Sequence, residues 1–157
     1  MPEGFADNVC IDLVLKTAGI KNFPAREICP VGKATRHHKT GKIVLLREPP
    51  VDLVKNILPT LELAEWLRAK AGNVPLRVLS GYRDPAYNAA VGGEEDSLHM
   101  KFNALDIHSY TKTPAELAAL VETHPQARTF GLGIYKSFIH IDTRSILGYA
   151  TPARWRG

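Results

Sequence analysis

The sequence predicts an α+β fold, with a small, largely antiparallel sheet flanked by helices. Three observations carry this. Helical and strand-like segments follow one another as helix, helix, strand, strand, helix, strand, strand, not in strict βαβ alternation. The last two strand-like runs, TFGLGIY and SFIHIDTR, are nearly contiguous, which suits a hairpin and leaves no room for a crossover. The 157 residues fit one domain, 1–157, with a core large enough to fold without disulfides or metal.

The elements follow in order. Phe5, Val9 and Leu13 fall four apart, so a helix is expected from Phe5 to Leu15. Residues 19–42 are rich in Gly, Pro and Lys and read as irregular. KIVLLRE (42–48) suits a short strand, stopped by Pro49 and Pro50. From Val51 to Lys70, the positions Val54, Ile57, Leu58, Leu61, Ala64 and Leu67 repeat at helical spacing. Pro59 lies inside that run and predicts a kink or two abutting helices, and Gly72 suits the C-terminal cap. PLRVLSG (75–81) reads as a strand. GYRDPAYNAAVGGEED reads as a loop with one helical turn around 86–91, and FNALDIH (102–108) as a strand. Thr113, Pro114 and Glu116 form a capping box with Pro just inside a helix running to about Glu122.

Composition excludes several function classes. Apolar content is 45%, charged content 23% and formal net charge +4, ordinary values for a globular protein. No apolar run reaches membrane-spanning length, so no membrane partner is expected. The basic cluster KATRHHKTGK (33–42) reads as a solvated loop or a weak polyanion contact. No nucleic-acid motif accompanies it, so no nucleic-acid partner is expected. Cys10 and Cys29 sit in no CxxC or Cys/His cluster and read as buried thiols of a reducing compartment, with a single disulfide between them as the alternative. The N-terminal run has no basic region followed by an apolar one, so no secretory signal is expected.

Ionisable groups inside strand-like runs point to the chemistry. In FIHIDTR, alternation puts Ile139, Ile141 and Thr143 on one face and Phe138, His140, Asp142 and Arg144 on the other. The second face reads as the wall of a cleft. In SLHMKFNALDIH, Asp106 lies between Leu105 and Ile107. A buried carboxylate there needs a counter-charge, strong donors or a metal. Arg83 or Lys101 would serve. A zinc ion would satisfy Asp106, His99 and His140 together, and two histidines with one carboxylate is a known hydrolytic zinc set.

These motifs, S-x-H-(x)6-D at Ser97, His99 and Asp106 and H-x-D at His140 and Asp142, resemble the zinc D-alanyl-D-alanine carboxypeptidase family. Its relatives include phage endolysins and the hedgehog signalling domain. SGYRDPAYNAAVGG (80–93), GLGIYKSFIHIDTR (131–144) and ARW (153–155) are similar to further segments of small bacterial and phage members. The resemblance runs from about Pro49 to Trp155 and leaves 1–48 as an N-terminal extension. It implies a hedgehog/DD-peptidase-like fold, zinc on His99, Asp106 and His140, Arg83 near the substrate carbonyl and carboxylate, and Ser97 orienting a ligand. The implied activity is cleavage of peptidoglycan stem peptides next to a D-amino acid, by a monomer made in the cytoplasm and acting at the cell wall after lysis, phage delivery or unconventional export. The alternative is a non-catalytic zinc module of the same fold that binds cell wall or a phage particle. Two positions depart from the family pattern. Ser137 stands where many members carry the general base, glutamate or histidine, three residues before the last ligand. That leaves Asp142, on the His140 face, as the expected base, with support of His140 as its equally weighted other role and Asp96 or Glu95, near His99, as the other carboxylates within reach. Phe102 stands where many relatives have glycine.

Overall fold

A computed structural model describes residues 4–157. The segment 4–57 opens with helix α1 (Asn8–Thr17), capped by the Asp7 carboxylate, which accepts from the Cys10 N–H. The helix is where the sequence predicts it, but its buried face is not the predicted one. Val9 and Leu13 are 78% and 66% exposed, whereas Ile11 and Leu15 enter the core. Residues 19–42 are also more regular than their composition suggests. They contain the short helix α2 (Ala25–Ile28) and strand β1 (Ala34–Arg36), which pairs with β2 (Ile43–Leu45). The basic cluster is therefore strand β1 together with the turn that follows it.

Pro59 divides the 51–70 run as its geometry demands. A 3-10 helix, Val51–Ile57, abuts helix α3 (Leu58–Lys70), and Pro59 takes an early α3 position where its missing N–H is not needed. Gly72 follows α3 at φ +90°, with its N–H donating back to Ala69. Strand β3 (Leu76–Ser80), helix α4 (Pro85–Ala90), strand β4 (Ala104–Ser109) and helix α5 (Pro114–Glu122) come next. The predicted capping box of α5 is present in full: Glu116 N–H donates to Thr113 Oγ1, and Thr113 N–H donates to Glu116 Oε2. Strands β5 (Gly131–Ile134), β6 (Ile139–Asp142) and β7 (Ala153–Arg156) complete the chain.

The main sheet has the order β3-β4-β6-β5-β7. All pairs are antiparallel except β5 with β7. Its Leu105, Ile107, Ile139 and Ile141 join Leu61, Leu67, Leu117 and Val121 of α3 and α5 in one core, which also takes in Ile11 and Phe23. The opposite face is the one that matters for chemistry. Register aligns Ser80 with Asp106, Asp106 with His140, His140 with Gly133, and Gly133 with Trp155. One row therefore crosses all five strands and carries two of the expected ligands, Asp106 and His140. A bulge between Val78 and Ser80 re-aims Ser80 at the end of that row.

Candidate metal centre

His99, Asp106 and His140 lie close enough that one ligand atom from each falls within 4.8 Å of the others, and all three are buried. Asp106 and His140 face each other across β4 and β6. His99 arrives from the turn before β4, where Phe102 N–H donates to the His99 carbonyl at 3.3 Å. Ser97 Oγ accepts the His99 N–H at 3.3 Å. It thus supports the backbone of that turn, and the imidazole itself is oriented by another group.

That group is the Gly81 carbonyl. His99 Nδ1 lies 2.7 Å from this oxygen, which only accepts, so Nδ1 carries the hydrogen and Nε2 offers its lone pair. His140 is fixed likewise, because its Nε2 lies 2.7 Å from Asp142 Oδ2 and so Nδ1 is left free. The two free nitrogens lie 3.2 and 3.3 Å from the same oxygen, Asp106 Oδ1. Two imidazole lone pairs aimed at a carboxylate oxygen repel unless a cation sits among them. The donor set therefore fits a divalent metal, and the anchored outer nitrogens are the usual companions of metal-bound histidine.

Electrostatics agree. Burial pushes the Asp106 carboxyl up, but the charge and hydrogen bonds of His99 and His140 hold it well below the usual carboxylate range. Burial holds the His99 imidazole below its ordinary value, against the pull of Asp106. For His140, burial is outweighed by the Asp106 and Asp142 carboxylates, which raise its value, so that without a cation a proton on Nδ1 would take its place beside Asp106.

Asp142 does not face the open side of this centre. Its side chain is 0% exposed. It accepts from His140 Nε2, from Arg144 Nε at 2.9 Å and Nη2 at 2.8 Å, and from the Gly131 and Arg144 N–H groups at 3.2 Å. Despite burial, Arg144 and His140 keep it ionised well below the usual range. The expected role as base meets a physical obstacle: its oxygens are already held, and they lie behind the imidazole. Ser137 is exposed and its carbonyl bonds His108 Nδ1 at 2.6 Å.

The three ligands open into a cavity of about 660 Å³, lined also by Arg83, Ser97, Tyr135, Phe138, Arg144, Trp155 and Arg156, with Glu94 and Asp96 at its wall. Arg83 follows the β3 bulge. Its Nε donates to Ser80 Oγ at 2.9 Å, Nη1 to Asn88 Oδ1 at 3.3 Å and Nη2 to Asp106 Oδ2 at 3.4 Å. Two of its five N–H groups make no bond to the described residues. Burial lowers its pKa, against the pull of Asp106.

The glycines explain much of the motif. A Cβ on Gly81 would overlap the Ile28 carbonyl, and one on Gly93 would overlap Asn88. A Cβ on Gly131 would overlap the Asp142 carboxylate and Arg144, and one on Gly133 would overlap the Trp155 indole. The family model described as Peptidase M15 matches residues 28–142.

The chain belongs to the peptidase M15 family.

This is the zinc D-alanyl-D-alanine carboxypeptidase-type family that the motifs resemble. The match takes in SGYR, both ligand motifs and Asp142, and begins at Ile28, inside the segment the motif comparison leaves out. A comparison with curated proteins finds no match. The sequence reading gave no role to Gly81, Asn88, Tyr135 and Trp155. Gly81 and Asn88 lie in the quoted SGYRDPAYNAAVGG run. Tyr135 and Trp155 lie in the quoted GLGIYKSFIHIDTR and ARW runs, but only the pairing of β7 with β5 gives them a place in the site.

Proposed function

We propose that this chain is a zinc-dependent peptidase that hydrolyses peptidoglycan stem peptides next to a D-amino acid, as a D,D-carboxypeptidase or endopeptidase. The observation that supports it best is the convergence of His99 Nε2, His140 Nδ1 and Asp106 at the floor of an open cavity, beside an anchored arginine, in an M15 chain. Zinc held by these three would lower the pKa of a bound water and polarise the scissile carbonyl. Hydrolysis forms a C–O bond from water and breaks the C–N bond, whose electron pair leaves with the amine. Arg83, with two N–H groups free, binds a terminal carboxylate bidentately or faces the oxygen on which charge grows. Arg144 and Arg156 line the same cavity and favour an acidic peptide. The proton from water needs an acceptor, and Glu94 and Asp96 are the carboxylates other than Asp106 that line the cavity. Such an enzyme would work on the wall as a monomer.

The non-catalytic reading draws on one observation: Ser137 cannot accept a proton at neutral pH, and Asp142 is enclosed. One experiment separates the two. Zinc-loaded protein is incubated with defined muropeptides, with and without chelator, and products are read by mass. Chelator-sensitive loss of a terminal D-residue or of a cross-link is expected. Zinc binding without any product would leave the binding module as the function.

A further inference from the structure

We propose that Tyr135 is a catalytic residue whose phenolic O–H, aimed by the indole of Trp155, donates to the substrate carbonyl oxygen. The proposal rests on the peptidase reading above for its substrate, and on geometry of its own for the donor.

Trp155 Nε1 lies 2.9 Å from Tyr135 Oη. An indole N–H only donates, so the phenol oxygen accepts here and its own hydrogen points elsewhere. Among the described residues the phenol makes no other hydrogen bond, and Tyr135 lines the cavity with the three ligands and Arg83. The ring is also held in place. It stacks on Phe138 at 4.5 Å and 8°, and its N–H closes the β5–β6 turn onto the Phe138 carbonyl at 2.9 Å. Trp155 is fixed in turn. Its ring lies 4.9 Å from the His140 imidazole and 5.2 Å from the Arg144 guanidinium, in space that the bare Cα of Gly133 leaves open.

A donor fixed before the substrate arrives is what stabilises a developing oxyanion, because no reorganisation is needed as charge appears. As the water oxygen bonds to the carbonyl carbon, the C=O π pair moves onto the carbonyl oxygen. Tyr135 donates to that oxygen and keeps its proton. When the C–N bond breaks, the pair returns to C=O and the nitrogen takes a proton that came from water. Tyr135 ends as it began. Trp155 acts through Tyr135 and is a positioning residue.

The test uses Tyr135→Phe, which keeps the ring stack, with the full chain loaded with zinc. On a muropeptide, kcat is expected to fall about 10²-fold, with KM and zinc content unchanged. A second readout needs no turnover. A phosphinate isostere of D-Ala-D-Ala carries tetrahedral oxygens, and calorimetry should show Tyr135→Phe binding it at least about tenfold more weakly than the parent. Trp155→Phe should lower kcat in the parent and add nothing in the Tyr135→Phe background, since coupled residues are not additive. Unchanged kcat and phosphinate affinity in Tyr135→Phe would overturn the assignment and leave the peptidase reading intact. A full Trp155→Phe effect in the Tyr135→Phe background would overturn the aiming role. If the parent cleaves nothing, the phosphinate arm decides alone. Weakened binding upholds the donor while the peptidase reading falls, and a zinc-loaded parent that binds no phosphinate overturns both.

Discussion

Phe102 shows how one position sets competing demands. The turn that delivers His99 to the centre needs a left-handed residue there, and Phe102 adopts φ +51°, costly for a bulky side chain. The family's usual glycine would remove that strain. The side chain, however, is fully buried and packs on Tyr82 at 5.3 Å. Deleting a buried Phe costs about 3–5 kcal/mol, and the backbone relief is about 1–3 kcal/mol. Phe102→Gly should therefore lower stability by roughly 2 kcal/mol in denaturant titration, with the zinc site still formed. Asp142 gives a second test at this scale. In Asp142→Asn the carbonyl oxygen keeps the side held by three N–H groups, so the amide NH2 faces His140 Nε2 and selects the wrong tautomer, and zinc affinity should fall about 10- to 100-fold in competition with a chelator. Asp96→Asn or Glu94→Gln should instead lower kcat and leave zinc bound. Retained zinc with abolished turnover in Asp142→Asn would restore Asp142 as the base.

At the scale of elements, the β5–β6 hairpin with β7 beside it builds the cleft wall. Gly133 is a tight point of it, since it faces His140 on one side and Trp155 on the other. Gly133→Ala would drive the indole off the row. The expected outcome is a loss of turnover of tenfold or more with near-normal zinc content, and intrinsic fluorescence should report the displaced tryptophan. The α5 cap is remote from the site. Thr113→Ala removes the Oγ1 that accepts the Glu116 N–H, leaves the bond from its own backbone N–H to Glu116, and should cost about 1 kcal/mol in stability, with no change in kcat. Local pattern made α3, α5 and the β5–β6 hairpin legible. It misled at α1, because two apolar stripes, Phe5-Val9-Leu13 and Ile11-Leu15, compete on one short helix. Only the rest of the fold selects which is buried.

At the scale of the whole molecule, folding does not depend on the metal. The core runs from Ala6 to Ile141 without involving the ligands. Chelation should therefore abolish the proposed peptidase turnover and lower the thermal midpoint only by the binding energy of the ion, while far-ultraviolet dichroism is kept. Alkaline pH should act differently. Burial, with Glu48 and Asp84 nearby, pushes the Cys29 thiol from its ordinary 9.0 to about 12. Burial also pushes the Tyr82 phenol from 10.0 to about 12, with Asp84 and Cys29 adding to it. Both folded values lie above the unfolded ones, so the unfolded chain releases these protons first. Stability is then full below about pH 9 and falls as pH rises toward 12. Denaturant titrations across that range should show the fall, and Cys29→Ala should flatten its first part. A flat profile in the parent would mean that the two groups are more open to water than the structure has them.

The sequence by itself, through its motifs and the family resemblance they carry, picked out the candidate ligands of the centre. Ligand identity, strand alternation and motif spacing are local properties, and they pointed to His99, Asp106 and His140 and to an α+β class with a mostly antiparallel sheet. Orientation was decided only by the tertiary structure. Which nitrogen of each imidazole faces the centre depends on the Gly81 carbonyl and the Asp142 carboxylate. Asp142 is turned away from the cavity by Arg144, two residues on. Tyr135 and Trp155, twenty residues apart, meet only because β7 lies parallel to β5. Hydrogen-bond partners distant in the chain leave no period or spacing to read, since sheet register, not sequence, brings them within 3 Å.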